Sequence, residues 1–375
     1  MDKSALQLLE LLRSGLWGKA ADPSVFEGSV DWSAIVSTAM DQTVALIVAD
    51  GYATLPAQLQ PPKKIQFNIE ALRVRTAQAH QLLNHGLAEF SHLLDDNGIH
   101  HVLFKGQGLA QNYINPHSRT CGDIDLYVGE KNLDKAKALI DSFGEADGQD
   151  LDSEKHIHCK RNGVDFELHK IAEVLDLPWK NRRYQAWTLK HLAENGDFEI
   201  LNVGDAQVNL PPAQFNVLYV FNHLLHHFQK GGIGLRQICD WACLLHTHAG
   251  MYDRDVLKKD LRAFGLTDCW RLFGQIAVDF LGLPAEEMPL YPGTAGRRAE
   301  MAMETILYFG NFGRKARACD TPRPKGYWSG KLHSFKYNLR SSFQLFKLFP
   351  LKTLISFTAY TIRGTIVALH LGHTK

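Results

Sequence analysis

The segment Cys121-Gly122-Asp123-Ile124-Asp125-Leu126-Tyr127-Val128 alternates acidic and apolar side chains with a period of two. Successive side chains of a strand point to opposite faces, so Ile124, Leu126 and Val128 enter a core while Asp123 and Asp125 project together on the other side. Two ionised carboxylates held that close repel each other, and a hard divalent cation relieves the repulsion. Mg²⁺ takes one or two protein carboxylates together with water and substrate phosphate oxygens. An isolated Asp-Ile-Asp is far more often a solvated edge strand, so the surrounding chain has to decide.

Upstream, His101-Val102-Leu103-Phe104 reads as a short buried strand and Gly106 to Tyr113 as the helix it feeds. A strand, a glycine and a helix start present free backbone N–H groups and a positive dipole end to an anion. Gly106 lacks the Cβ that would keep a phosphate from the backbone. Lys105 either adds charge there or is a solvated lysine at a strand end. The glycine and lysine spacing of a Walker loop is absent. Downstream, Val164, Phe166 and Leu168 share one face while Asp165, Glu167 and His169 share the other. The preceding His156-Ile157-His158-Cys159-Lys160-Arg161 also alternates, and Asn162-Gly163 between the two runs signals a two-residue hairpin. A hairpin beside the Asp123 strand brings a third carboxylate to the metal site, either Asp165 or Glu167.

Together these segments resemble the nucleotidyltransferases of the DNA polymerase β superfamily. More narrowly they are similar to a bacterial family of uncharacterised nucleotidyltransferases, which carries a Lys-Gly turn, an Arg-x-x-Gly-Asp-x-Asp-Leu strand and a later acid-Leu-His strand. Here those are Lys105-Gly106, Arg119-Thr120-Cys121-Gly122-Asp123-Ile124-Asp125-Leu126 and Glu167-Leu168-His169. The likeness continues into Gly232-Ile233-Gly234-Leu235-Arg236-Gln237-Ile238-Cys239-Asp240-Trp241 and so covers residues 30 to 250. The chain departs from the superfamily in having Gly106-Gln107 where Gly-Ser or Gly-Gly is usual, and in the long gap from Gly106 to Asp123.

The resemblance implies an α+β fold, a polymerase β-like core with a small mixed sheet and flanking helices, embedded between N- and C-terminal helical regions. It implies metal-dependent transfer of a nucleoside monophosphate from a nucleoside triphosphate (NTP) to a hydroxyl or phosphate of a small-molecule, glycan-precursor or protein acceptor, with pyrophosphate leaving. Asp123 and Asp125 would hold two Mg²⁺ ions, with Glu167 or Asp165 as third carboxylate; the acid-Leu-His match favours Glu167, which could also take the acceptor proton if its pKa is raised. Lys105, Gly106, Gln107, Arg119 and Gly122 would meet the nucleotide; Arg119 either binds phosphate oxygens bidentately through its guanidinium or forms a structural salt bridge. The alternatives are a non-catalytic relative that binds nucleotide or a partner protein in a regulatory or antitoxin-like role, and a phosphohydrolase with water as acceptor.

The rest of the chain bounds this reading. A net charge of +1 over 375 residues gives no electrostatic reason to expect a nucleic-acid partner. Six cysteines without paired spacing, and no visible secretory leader, suggest a reducing cytoplasm. Helical patterns fill residues 1–98, with a capping box from Ser4 to Gln7, one helix from Trp32 to Tyr52, and a long helix after Pro61-Pro62 that stops at Asp95-Asp96-Asn97-Gly98. Residues 99–208 form the strand-rich core, with a helix from Lys131 to Phe143. Pro211-Pro212 opens a helical region over 209–320, clearest at Phe215 to Phe228 and Leu235 to His246. There Cys239, Cys243 and His246 share a helix face and read as core thiols rather than zinc ligands. His223, His226 and His227 read as polar-face or interface residues, and Arg236 with Asp240 as an i,i+4 pair. The stretch from Thr321 to Lys375 is basic and aromatic and contains no acidic residue. Such a segment either packs on the protein or touches an anionic membrane surface, without spanning it.

Overall fold

In the computed structural model, which describes residues 1–143, 145–146, 156–194, 196–313, 326–358 and 361, Asn162 and Gly163 take φ values of 51° and 82°. That twist suits a two-residue hairpin, and Asn-Gly adopts it with little strain. The turn joins β4 (His156–Arg161) to β5 (Val164–His169) in antiparallel register. β5 pairs in parallel with β2 (Asp123–Tyr127), and β2 pairs antiparallel with β1 (Val102–Phe104). β3 (Glu145–Ala146) lies beyond β4, giving the order β1-β2-β5-β4-β3 among the described residues. A parallel neighbour requires a crossover, and α6 (Gly129–Phe143) begins it.

The register lays the polar residues out in rows. Asp123 stands opposite Asp165, Asp125 opposite Glu167, and Tyr127 opposite His169; β4 extends the last two rows with His158 and His156. The other face carries Ile124, Leu126, Ile157, Cys159, Phe166 and Leu168, which are buried with Leu83, Leu87, Phe90 and Leu94 of α4 (Lys63–Asp96). Those α4 positions recur at helical spacing, forming one apolar stripe. Phe90 meets Phe166 edge-on with ring centroids 5.1 Å apart. Burying each such ring or aliphatic side chain stabilises the layer by about 1.5–3 kcal/mol, and Phe166→Ala would cost about 3–5 kcal/mol.

The helices on either side of the sheet in sequence meet in one further core. α1 (Lys3–Trp17), α2 (Trp32–Asp41) and α3 (Ala45–Tyr52) share a hydrophobic cluster with α8 (Ala213–Lys230), α9 (Leu235–Thr247), α10 (Arg254–Phe264), α11 (Thr267–Gln275) and α12 (Arg297–Phe309). Gln42 pins them together. Its buried Nε2 donates to the Ile306 carbonyl at 3.1 Å, and its Oε1 accepts from the Leu235 N–H at 2.9 Å, meeting a free donor at the start of α9. This is why Trp32–Tyr52 is two helices and not the single one expected. The chain breaks after Gln42, where Thr43 takes a φ of 56°.

Two other local expectations are corrected. α1 is capped by Asp2, whose side chain accepts from the Ala5 N–H at 2.8 Å, while Gln7 is buried and donates to the Val25 carbonyl at 3.0 Å. Ser4 therefore lies inside the helix. The helix after β1, α5 (Gly106–Ala110), stops short of Tyr113, because Tyr113 turns to Asp240. Cys121, Cys159, Cys239, Cys243 and Cys269 are free thiols.

Part of the basic tail packs on the body. In α13 (Tyr327–Leu348), Leu345 and Leu348 join the helical core with Phe349, and the Arg298 Nε donates to the Leu348 carbonyl at 2.9 Å. Leu332, Phe335, Leu339, Phe343 and Phe346 are exposed. Cys319, Arg323, Lys325, Tyr360, Arg363 and Lys375 lie outside the described residues. Among those described, no helix is long and apolar enough to cross a membrane.

Candidate active site

Between the polar face of the sheet and helices α8 and α9 lies a cleft of about 340 Å³. One end of the face is covered, since Phe104 stacks on Tyr127 at 5.5 Å and packs against Tyr219 of α8 at 4.5 Å. The carboxylate end stays open, and Asp123, Asp125 and Glu167 all line the cleft.

The turn after β1 shapes the floor. Lys105 and Gly106 take φ values of 50° and 35°, and a Cβ on Gly106 would stand 3.3 Å from the Asp123 carbonyl oxygen. A side chain here would meet both strain and crowding. Lys105 reaches the β2 strand, with Nζ 2.8 Å from Asp125 Oδ1, so it is neither solvated nor remote.

The charges in the cluster are unevenly matched. Asp125 Oδ1 receives both Lys105 Nζ and His169 Nε2, each at 2.8 Å. Burial opposes ionisation, but these two partners hold the Asp125 carboxyl well below the usual range. Burial likewise opposes a charge on His169, and its hydrogen bonds to Asp125 and Glu167 outweigh it, raising its pKa. Glu167 is lowered, its burial outweighed chiefly by His169, which approaches its Oε2 at 3.3 Å. Asp123 differs. Burial and the neighbouring Asp125 charge push it up to about 6, against the weaker opposing pull of Lys105 and Arg236.

A second cluster closes the cleft from the α9 side. Asp240 accepts from Arg119 Nε at 2.9 Å, from Arg119 Nη2 at 2.8 Å and from the Tyr113 hydroxyl at 2.6 Å. His80 Nε2 lies 2.8 Å from the Arg119 carbonyl oxygen. These bonds organise the long loop between Gly106 and Asp123. Arg119 thus has its fork closed on a carboxylate, the structural salt bridge that was the alternative to a phosphate partner. The expected Arg236–Asp240 pair is replaced, since both Asp240 oxygens are taken by Arg119. Arg236 instead donates from Nη1 to the Thr120 carbonyl at 2.8 Å, and its buried Nε has no hydrogen-bond partner among the described residues. It lines the cleft.

Gly106 and Gly122 also line the cleft, whereas Gln107 and Asp165 do not. Gln107 is buried and hydrogen-bonded to Asn84 of α4. Asp165 shares the face but sits half-exposed, with Lys160 Nζ at 3.2 Å. Several cleft residues were not expected. Glu173, 3% exposed, has His223 Nδ1 at 3.3 Å and His226 Nδ1 at 3.5 Å. The α8 histidines therefore line the cleft with Glu173, which corrects their reading as polar-face or interface residues. The helical spacing of the histidines was visible in sequence; nothing pointed to Glu173. Cys239 and Cys243 are buried thiols raised by that burial, and His246 pairs with Glu287 at 2.6 Å.

A search of curated proteins gives no match. The crystal structure of an antigenic nucleotidyltransferase-like protein from Paracoccidioides brasiliensis is similar at 14% identity and a TM-score of 0.34, covering 53% of this chain and 92% of that one. The profile of a family described as uncharacterised nucleotidyltransferase matches residues 28–282, a span that includes the carboxylate strands and both helices closing the cleft. The chain belongs to the uncharacterised nucleotidyltransferase family.

Proposed function

We propose that the protein is a metal-dependent nucleotidyltransferase with a polymerase β-like core, transferring a nucleoside monophosphate from an NTP to a hydroxyl or phosphate acceptor. One observation carries the reading: Asp123, Asp125 and Glu167 project from adjacent parallel strands into the same cleft, where burial and the Asp125 charge disfavour the Asp123 anion. The donors are hard oxygens, which fit Mg²⁺. When bound, Mg²⁺ neutralises triphosphate oxygens and aligns the attacking and leaving groups.

The chain supplies the remaining parts. Arg236 offers its unmet Nε to a phosphate oxygen, a role that Arg119 is too fully engaged to take. Gly106 lets phosphate approach the backbone. Lys105 keeps Asp125 ionised, the form in which it would hold a metal ion. Glu167, held below its ordinary range, acts as a ligand rather than as the proton acceptor its sequence context allowed. The acceptor oxygen bonds to the α-phosphorus as the bond from that phosphorus to the α–β bridging oxygen breaks; a hydroxyl acceptor passes its proton to solvent water, and pyrophosphate leaves with the electron pair of the broken bond. The test is incubation with each labelled NTP, Mg²⁺ and a lysate, then separation of labelled small molecules from labelled proteins. Label transfer that Asp123→Asn abolishes supports the reading; transfer retained by that variant contradicts it.

A binding-only relative is favoured by one feature, the internal neutralisation of Asp125 by Lys105 and His169. That reading predicts NTP binding without pyrophosphate release in the same incubations.

The exposed stripe of α13 supports peripheral contact with an anionic lipid surface. Leu332, Phe335, Leu339, Phe343 and Phe346 fall on one helix face, opposite the buried Leu345 and Leu348. Lys336, Arg340 and Lys347 flank the stripe, and no acidic residue follows Thr321. Flotation with phosphatidylserine vesicles at low salt should carry the protein upward; its failure to float would end this proposal.

A further inference from the structure

The polar face does not stop at the carboxylates. One strand beyond Glu167, β4 presents His158 directly opposite Glu167 and His156 opposite His169. His158 Nε2 lies 3.5 Å from Glu167 Oε1, whereas His169 Nε2 approaches the other oxygen, Oε2, at 3.3 Å. Glu167 therefore turns Oε1 towards His158 of β4 and Oε2 towards His169. Ligand atoms of His156, His158 and Glu167 all lie within 4.8 Å of one another. A tetrahedral ion bonded at 2.0–2.1 Å to nitrogen and oxygen needs ligand spacings of about 3.4 Å. The His158–Glu167 contact already has that spacing, and His156 offers a ring nitrogen within 4.8 Å of both.

We infer that His156, His158 and Glu167 form a transition-metal site, distinct from the oxygen donors Asp123 and Asp125, for a borderline divalent ion such as Zn²⁺ or Co²⁺. Two imidazole nitrogens and one carboxylate oxygen suit such ions far better than Mg²⁺, which prefers oxygen ligands and retains its water. Three protein ligands leave a position for water or an acceptor oxygen. His169 supplies the outer support. By bonding Oε2, it fixes the orientation of Glu167 and so the direction of Oε1. Across a few ångströms of sheet the donors grade from oxygen on β2 to nitrogen on β4, with Glu167 as the shared carboxylate. The site does not depend on nucleotide transfer.

The test is titration of the full-length, chelator-stripped protein with Co²⁺, without nucleotide and in a large excess of Mg²⁺, followed by visible absorption and competition with Zn²⁺. One Co²⁺ should bind with d–d bands of a low-coordinate nitrogen-containing site, and Zn²⁺ should displace it. His156→Ala and His158→Ala should each weaken binding at least tenfold, as the loss of one of three ligands requires. His158→Gln, which retains a polar group of similar size, should weaken it too, and circular dichroism checks that each variant folds. Asp123→Asn should bind Co²⁺ as the unaltered protein does. The inference is overturned if no Co²⁺ bands appear, if folded histidine variants bind equally well, or if Asp123→Asn abolishes binding while His158→Ala does not.

Discussion

Two charge clusters face each other across the cleft, and they differ in how completely they are neutralised. Around Asp240, one carboxylate accepts from both arms of Arg119 and from Tyr113, so that every member has its opposite. Around Asp123 and Asp125 the balance is incomplete. Lys105 and His169 converge on a single oxygen of Asp125, Asp123 is pushed up to about 6, and across the cleft Arg236 Nε has no hydrogen-bond partner among the described residues. A fully paired buried cluster holds geometry, while a partly paired one marks where a ligand completes the electrostatics.

The contrast breaks most visibly at Asp123. Asp123→Asn should lower nucleotide transfer by about 10³-fold, the scale on which lost transition-state electrostatics are felt, while a thermal melt moves by no more than about 2 °C. A variant that unfolded instead would move Asp123 into the structural cluster. Arg119→Ala should do the reverse. It leaves Asp240 buried and uncompensated, which costs about 3–5 kcal/mol, read as a lower urea midpoint. Unchanged stability would remove the structural role assigned to that pair.

Arg236→Gln sharpens the comparison between the two arginines. It removes charge-assisted bonds worth about 1.5–3 kcal/mol, so KM for the NTP should rise by about 10–100-fold with little change in stability. An unaltered KM would shift phosphate recognition elsewhere.

The smallest effect belongs to a paired site near the far end of α9. His248 Nε2 lies 3.0 Å from Glu199. Burial disfavours its charge, but the bond to Glu199 outweighs this and raises its pKa. A raised histidine adds stability that is complete below about pH 6.5 and fades as pH rises through the folded value. Glu199→Gln should therefore cost about 0.5–1 kcal/mol in mildly acidic buffer and almost nothing at pH 9. A loss that grows with pH would reverse the assignment.

What could be read from residues alone was local. The period of two placed Asp123 with Asp125, and Asn162-Gly163 specified the hairpin that carries Glu167, because both signals lie within a few residues. The partners of Arg119 and Arg236 were not legible. Arg119 and Asp240 are separated by 121 positions, and periodicity says nothing about which distant carboxylate a guanidinium meets. It favoured instead the neighbouring Arg236, at helical spacing from Asp240. Glu173 was hidden for the same reason, since its histidine partners lie on α8, and the break after Gln42 arises from what α9 and α12 require of that residue. The Asp165 or Glu167 ambiguity has the simplest cause. Both point to the same face, and only the position of the cleft along the strand separates them.

Asp165 also gives the most direct test of the account, because it shares the face of the other acids but sits with Lys160 outside the cleft. Mg²⁺-dependent pyrophosphate release can be measured in parallel for Asp123→Asn, Glu167→Gln and Asp165→Asn, with NTP and lysate supplied to each. Release should vanish in the first two and persist in the third. Loss in Asp165→Asn, with release retained in either of the others, would contradict the proposed metal-binding set.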